Sequence, residues 1–379
     1  MEDRHRDERG DCKLGEPISI EAFGRRIVFL PVAHEPEEYI NRAARRLFRS
    51  VTLRTVAGAF RYFRTIRKLT ADAPASAQLQ RFEFAPLARL LGLPVVQVVH
   101  GEGSKKDKMD SLIKRFWFLH ASAERLALRL ARRIMCVNPT IVTRIEREFP
   151  HAAPKASMMT VSVDRELFKP QPFDVRDGVF RIAFAGRLDE FKDPPLMFET
   201  FRRLHQALGG RFEFHYVGKS DPSRYSEFEA IRDFTVQHGF QTSDGVARIA
   251  AQCHAGVLTS FFEGMPCYLL ETLATGRPFV AIRLPQYDPL VTASVSGELI
   301  ERAETPAQSA TALTQAFLRL WKSIRDGEID PKRVADLTEP YSVHRQLAQL
   351  FAWQIAIARP SRRAKAGSSV DAAARHVAE

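Results

Sequence analysis

The second half of the chain alternates short apolar runs with single helix-length segments, and that rhythm leaves few folds open. FRIAFAG, FEFHYVG, AGVLTS and PFVAI read as strands; residues 194–208, 223–238, GVARIAAQ and 266–275 read as the helices around them. Strands separated by one helix each make βαβ units and a parallel sheet. The first half follows the same plan less regularly. RRIVFLPV (25–32), Val95–Val99, IMCVN (134–138) and SMMTVSVD (157–164) are its strand candidates, with helices over 111–133 and 139–148 and another ahead of a Leu-Gly-Leu-Pro stop. The Pro-containing FKPQPFD near residue 170 reads as a boundary. The expected organisation is a first domain over 1–170 with a flexible arm at 1–24, a second over 171–345, and a C-terminal helix with a mobile tail over 346–379, the tail starting at Arg359.

Composition narrows the class. A length of 379 residues is about two domains' worth, and 45% hydrophobic with 27% charged residues is ordinary globular chemistry, which excludes disordered and fibrous chains. Cys12, Cys136, Cys253 and Cys267 lie far apart with no Cys-x-x-Cys pair, which argues against a disulfide scaffold or a zinc ribbon. No uncharged apolar run reaches the roughly 18 residues of a spanning helix. The charged start MEDRHRDERGD lacks the pattern of a secretory signal, so a soluble protein of a reducing, cytoplasmic compartment is expected.

The net charge of +11 is unevenly placed: residues 1–170 hold 31 Lys+Arg against 20 Asp+Glu, and residues 171–379 hold 25 of each. Nine basic residues and no acidic one fall in 41–70, where Arg42, Arg45, Arg46 and Arg49 keep helical spacing and apolar residues line another face. A second basic amphipathic stretch covers 114–133. A solvated basic face, an anionic membrane surface and a nucleic acid all suit such segments. Nucleic acid is disfavoured, because no recognition motif accompanies the charge.

Ligands of open parallel sheets bind beyond the carboxyl ends of the strands. Two strand ends carry unusual residues there. In FRIAFAGRLDEFKDP the strand runs out at Gly186, and Arg187 and Lys192 follow before a helix that starts with Pro194 and Pro195. Two cations at that place suit a diphosphate, although Gly-Arg turns are common. In AGVLTSFFEGMPCYLLETLATGRPFVAI, Glu263 and Gly264 form the turn, Pro266 opens a short helix, and Gly276 ends it as a left-handed cap would. Gly264 admits close approach of backbone to a ligand, and the helix N-terminus offers N–H donors and a positive dipole to phosphate. Glu271 lies about 12 Å beyond Glu263 by residue rise, so both carboxylates can face one elongated ligand. The alternative is a helix cap and a solvated surface Glu.

Glu263 and Glu271 form a Glu-x7-Glu pair that resembles the motif of retaining GT-B glycosyltransferases of group 1 (glycosyltransferase family 4). AFAGRLDEFKDPPLMFETFRRL, FHYVGKSD, SVDRELFKP and APLARLLGLPVVQVVHGEG are similar to other segments of that family, covering about residues 75 to 350. The resemblance implies an α/β chain with two Rossmann-like parallel-sheet domains facing a cleft. It implies transfer of a sugar from a nucleotide-diphosphate donor to an acceptor hydroxyl with the anomeric configuration kept. Arg187 and Lys192 would hold the diphosphate next to Gly186, Glu271 the ribose, and Glu263 with the backbone at Gly264 and Met265 the donor sugar. His100 would sit near the transferred sugar and the attacking hydroxyl. No cofactor and no metal is expected: the chain has no Asp-x-Asp triplet, and two cations with a helix dipole can stabilise the leaving group.

Relatives of this kind suggest a saccharide or lipid-linked acceptor, in envelope polysaccharide or glycolipid synthesis at the inner face of the cytoplasmic membrane. That favours an anionic membrane as the partner of 41–70 and 114–133. The chain departs from the family at three places. MEDRHRDERGDCKLGEPISIEAFGRRIVFLP shows no opening strand–Gly-Gly–helix unit, so a truncated first domain or a misassigned start is expected, with RRIVFLPV a later strand of that domain. His100 is followed by Gly101 and Glu102 rather than Asp, and Ser162 stands where Asn-Gly is usual. The competing reading is a non-catalytic GT-B remnant that binds nucleotide, membrane or a protein partner; an epimerase or a phosphorylase is a third.

Overall fold

The computed structural model describes residues 18–22 and 25–29 (backbone only), 56, 59–71, 74–100 and 117–360. They divide into two compact units: the described parts of 5–137 with Ile141–Met159 and residues from Ala348 on, and Asn138–Thr140 with Thr160–Leu347.

In the first unit β1 (Ile18–Ala22) and β2 (Arg25–Phe29) pair antiparallel, Ile20 opposite Ile27. RRIVFLPV is therefore not a strand of the parallel sheet. Only two residues separate it from β1, and a parallel pairing needs a crossover of about a dozen. After α1 (Phe63–Leu69) come β3 (Ala77–Leu79), α2 (Ala85–Leu90), β4 (Val95–Val99), α3 (Trp117–Leu130), β5 (Arg133–Cys136), α4 (Pro139–Glu148) and β6 (Ala156–Met158). Strands β3, β4, β5 and β6 form a parallel sheet in that order. Every residue of β4 is buried, and its one polar side chain, Gln97, donates Nε2 to the carbonyls of Leu79 at 3.0 Å and Val98 at 2.9 Å. The Leu-Gly-Leu-Pro stop works through Gly92, whose φ of +65° ends α2. β3 carries too little apolar pattern to be read from sequence, and SMMTVSVD supplies only the short β6. The basic stretch 41–55 and residues 114–116 lie outside the described residues.

The second unit contains β7 (Phe180–Ala185), α5 (Pro194–Ala207), β8 (Phe212–Val217), β9 (Thr235–Gln237), α6 (Ser243–Gln252), β10 (Ala255–Leu258), α7 (Cys267–Ala274), β11 (Phe279–Ile282), β12 (Gly297–Ile300), α8 (Pro306–Arg325), α9 (Pro331–Asp336) and the start of α10 (Val343–Ile357). All six strands are parallel, in the order β12-β11-β10-β7-β8-β9. Counted along the chain from β7, this is the 3-2-1-4-5-6 order of dinucleotide-binding sheets. Its faces are filled by Phe180, Phe184, Phe198, Phe201, Phe212, Phe214, Phe279 and Phe317, all buried.

The helix expected over 223–238 does not form. Two 3-10 segments, Pro222–Arg224 and Ser226–Phe234, lead instead into β9, where Thr235 and Val236 pair with Phe214 and His215 of β8. β-Branched residues favour the pleated neighbour. The tail begins later than expected. Arg359 pairs its backbone with Ala75, and its guanidinium donates to the carbonyls of Leu91 at 2.9 Å and Thr70 at 2.8 Å. Residues 361–379 lie outside the described residues.

Arg277, between α7 and β11, is 1% exposed. Its guanidinium donates to the carbonyls of Gln171 (2.7 Å), Pro172 (3.1 Å) and Ala251 (2.5 Å), and lies over the ring of Phe173. Burial pushes its pKa down to about 10, so it stays charged at neutral pH. One side chain thus binds the entry segment of this unit to the end of α6. Replacing Arg277 with Met should cost the unit at least about 3 kcal/mol, since several charge-assisted bonds go and buried carbonyls are stranded. Urea unfolding followed by fluorescence measures this; an unchanged midpoint would contradict the assignment.

Candidate functional site

An open sheet of this order has one switch point, between β7 and β10, where the chain turns to opposite sides and opens a crevice at the carboxyl ends of the strands. Both segments singled out by sequence leave from these two strands. Gly186 follows β7 with φ +151°, a conformation that favours glycine. Tyr216 donates its hydroxyl to the Gly186 carbonyl at 3.2 Å, Ser220 Oγ accepts the Leu188 N–H at 3.0 Å, and Tyr225 donates to the Leu188 carbonyl at 2.7 Å. The loop is therefore held from the side of β8. A Cβ on Gly218 would come within 2.3 Å of the Gly186 carbonyl, so the next strand end must also carry a glycine for this loop to fit.

The two cations of the loop differ. Arg187 has a side chain 69% exposed and makes an ion contact with Asp189 at 2.9 Å. Lys192 is 14% exposed and lies 2.6 Å from Glu263 Oε1, itself 10% exposed. Ser260 donates its hydroxyl to that same oxygen at 2.8 Å, and Gln286 Nε2 donates to the Glu263 carbonyl at 2.9 Å. The two strand-end loops are thus joined through a largely desolvated Lys–Glu pair. Around it the loops are laced further. Thr259 donates to the Lys192 carbonyl at 2.7 Å, Phe261 N–H to the Phe191 carbonyl at 2.8 Å, and the rings of Phe191 and Phe262 stack at 5.0 Å. Tyr287, after β11, has a fully buried hydroxyl whose pKa is raised by burial and then by the charge of Glu263.

The two helices that begin here are not equivalent toward an anion. α5 starts Pro194-Pro195, which have no N–H, and Asp193 caps the Leu196 N–H at 3.3 Å. α7 starts after Pro266 with no side-chain cap and no acidic residue in its first turn. Its first amides and dipole are the ones available to a phosphate. Met265 is packed in the core at 8% exposure. Gly264 is not among the left-handed glycines, whereas Gly276 is, at φ +76°, ending α7 against Pro331. Glu271 is half-buried one turn beyond Cys267, and its charge adds to the desolvation that raises the Cys267 thiol.

Gly186, Arg187, Lys192, Glu263, Gly264, Met265 and Glu271 all belong to the second unit. His100 belongs to the first, at the carboxyl end of β4, where its Nε2 pairs with Gln80 Oε1. Desolvation pushes its pKa below the usual imidazole value, which favours the neutral ring. Sequence reading missed Ser260, Thr259, Asp193 and Arg302. The polar pair closing the apolar run AGVLTS and an Asp ahead of Pro-Pro were usable signals for the first three; Arg302 follows β12, which had none.

The family model described as glycosyl transferases, group 1, matches residues 179–323. An MMP alpha-(1->4)-mannosyltransferase of Mycolicibacterium hassiacum is 24% identical over 281 residues, 70% of this chain and 63% of that protein. The chain spans only 51–58% of the length of other curated glycosyltransferases it matches. Among solved structures, sucrose-phosphate synthase of Thermosynechococcus elongatus superposes with a TM-score of 0.67 at 17% identity, covering 90% of this chain and 86% of that one. HepE of Anabaena, solved with UDP and glucose, gives 0.60 at 16% identity, covering 79% and 80%. These likenesses show the fold, which is GT-B: two α/β units, each on a parallel sheet. Residues 179–323, the part of the chain that matches the group 1 glycosyl transferase model, hold the whole switch-point site.

Proposed function

We propose that the protein is a retaining, metal-independent glycosyltransferase that moves a sugar from a nucleoside-diphosphate donor to an acceptor hydroxyl in polysaccharide or glycolipid synthesis. The bond from the sugar's anomeric carbon to the diphosphate breaks, a bond to the acceptor oxygen forms, and the nucleoside diphosphate and a proton are released. The observation that carries this reading is the meeting of Lys192 and Glu263 at the switch point, beside the uncapped start of α7. In this reading Lys192, exposed Arg187 and the α7 amides take the diphosphate and stabilise its charge as it leaves. Glu271 holds the ribose, and Glu263 with the backbone of Gly264 and Met265 holds the sugar. His100 is assigned to the transferred sugar and the attacking hydroxyl. HepE, solved with UDP and glucose, supports a nucleotide-sugar donor for this fold.

A saccharide or lipid-linked acceptor and a place on the inner face of an anionic membrane complete the proposal. On α3 the exposed Trp117, Phe118, Leu119 and Leu126 accompany exposed Arg125 and Arg129, which supports apposition to such a surface. Among the described residues no helix is long and apolar enough to cross a membrane.

The direct test is nucleoside diphosphate release from a panel of UDP-, GDP- and ADP-sugars with lipid and saccharide acceptors, with the product's anomeric configuration read by NMR. Lys192→Ala should lower turnover at least ~100-fold, the effect of removing one preorganised donor. Wild-type turnover in that variant would remove Lys192 from the mechanism, and an inverted product would exclude retention. Absence of release from every donor would leave the non-catalytic reading standing.

The pairing of Lys192 with Glu263 generates a second, less obvious expectation. The carboxylate occupies the cation that the diphosphate needs. Glu263→Gln should therefore bind the free nucleoside diphosphate more tightly, by roughly 1 kcal/mol or about fivefold, while losing transfer. Calorimetry and turnover on the same preparation separate the two effects. Weaker nucleotide binding in this variant would show that the carboxylate supports the diphosphate rather than competing with it.

A further inference from the structure

A second ion pair stands behind the first. Arg302, two residues past the end of β12, places Nη1 2.7 Å from Asp193 Oδ2 and donates Nη2 to the Thr259 carbonyl. Its guanidinium lies 3.9 Å from the ring centroid of Phe261. Asp193 directly follows Lys192, holds a left-handed φ of 51°, and caps α5 with its other oxygen. Thr259 in turn donates to the carbonyls of Lys192 at 2.7 Å and of Asp193 at 3.2 Å. One guanidinium therefore closes a ring that runs from β12 to the loop after β7 and to the end of β10.

The charges give this ring its consequence. Two cations and two carboxylates meet at the crevice, paired Lys192 with Glu263 and Arg302 with Asp193. Asp193 has a side chain 14% exposed, so without Arg302 its charge would be poorly solvated and one residue from the lysine that receives the diphosphate. An uncompensated carboxylate there repels an incoming anion and draws on Lys192. The planar fork also bonds two elements at once, which a lysine cannot reproduce.

We propose that Arg302 is a positioning residue of the donor site: by neutralising Asp193 and tying it to Thr259, it sets Lys192 for a nucleoside diphosphate without touching that ligand. This rests on the reading of the switch-point crevice as the donor site.

The test is a double-mutant cycle on the full chain, titrated calorimetrically with UDP, GDP and ADP below the melting transition. For whichever diphosphate the wild type binds, Arg302→Met weakens affinity at least about tenfold, and Asp193→Asn added to it recovers at least about threefold. Asparagine keeps the left-handed conformation and the cap, so the recovery reads the charge. Asp193→Asn alone binds at least as tightly as wild type, and Arg302→Lys lies between wild type and Arg302→Met. A part that merely holds the fold would move the melting temperature without this pattern. Arg302→Met at wild-type affinity, or a double variant no better than Arg302→Met, overturns the proposal. If Arg302→Met does not fold, Asp193→Asn binding more weakly than wild type overturns it. A wild-type chain that binds none of the three diphosphates overturns the donor-site reading and this proposal together, whereas wild-type binding with the wrong cycle overturns this proposal alone.

Discussion

Six parallel strands can present a ligand site at their carboxyl ends only where the winding direction changes, and here that constraint selects the gap between β7 and β10. The two loops that leave those strands carry the Lys192–Glu263 pair, and residues after β8, β11 and β12 brace them. The loop after β7 must pass Gly218 closely and is pinned by Tyr216, Ser220 and Tyr225. The loop after β10 must carry a carboxylate that reaches Lys192. Because the strands are buried and rigid, the loops inherit a fixed separation, and a long side chain from each can meet in a partly dry space.

The chemistry follows from how the charges are shared out. Lys192 and Arg302 are each paired with a carboxylate, so in the proposed reading a diphosphate taken up by Lys192 competes with Glu263. Such an exchange costs part of the binding energy. In the proposed reading it also leaves Glu263, still held by Ser260, with its negative charge available to the sugar rather than to Lys192. The two helix starts divide labour in the same way: Pro194, Pro195 and the cap on Leu196 close α5 to anions, while α7 opens uncapped. Of the two helix starts, only that of α7 leaves its first-turn amides without a side-chain cap.

Much of the fold is legible in the sequence. The strand–helix rhythm identified parallel sheets, Gly276 and Pro266 located the ends of α7, and the Glu263 and Glu271 spacing drew attention to a loop that leaves a switch-point strand. The order of the larger sheet was not legible, because it depends on β9 and β12. The first is three residues long and sits in a segment that reads as helix, and the second is partly polar. The hairpin of β1 and β2 was misread because an apolar run fixes a strand but not its partner. The pairing of Lys192 with Glu263 spans 71 residues of chain and joins two groups that the sequence reading assigned to one ligand; no local pattern announces that they also bind each other. Arg302 was invisible for a related reason, since its role depends on a strand the sequence did not show.

The central claim is that the crevice between β7 and β10 is built for a nucleoside diphosphate whose ribose meets Glu271. The most direct measurement is calorimetric titration of the wild-type chain and of Glu271→Ala with UDP, GDP and ADP. The account predicts selective binding of one of them by the wild type, weakened at least about tenfold in the variant by loss of the charge-assisted bonds to the diol. Equal binding by both proteins would place the nucleotide elsewhere and contradict it.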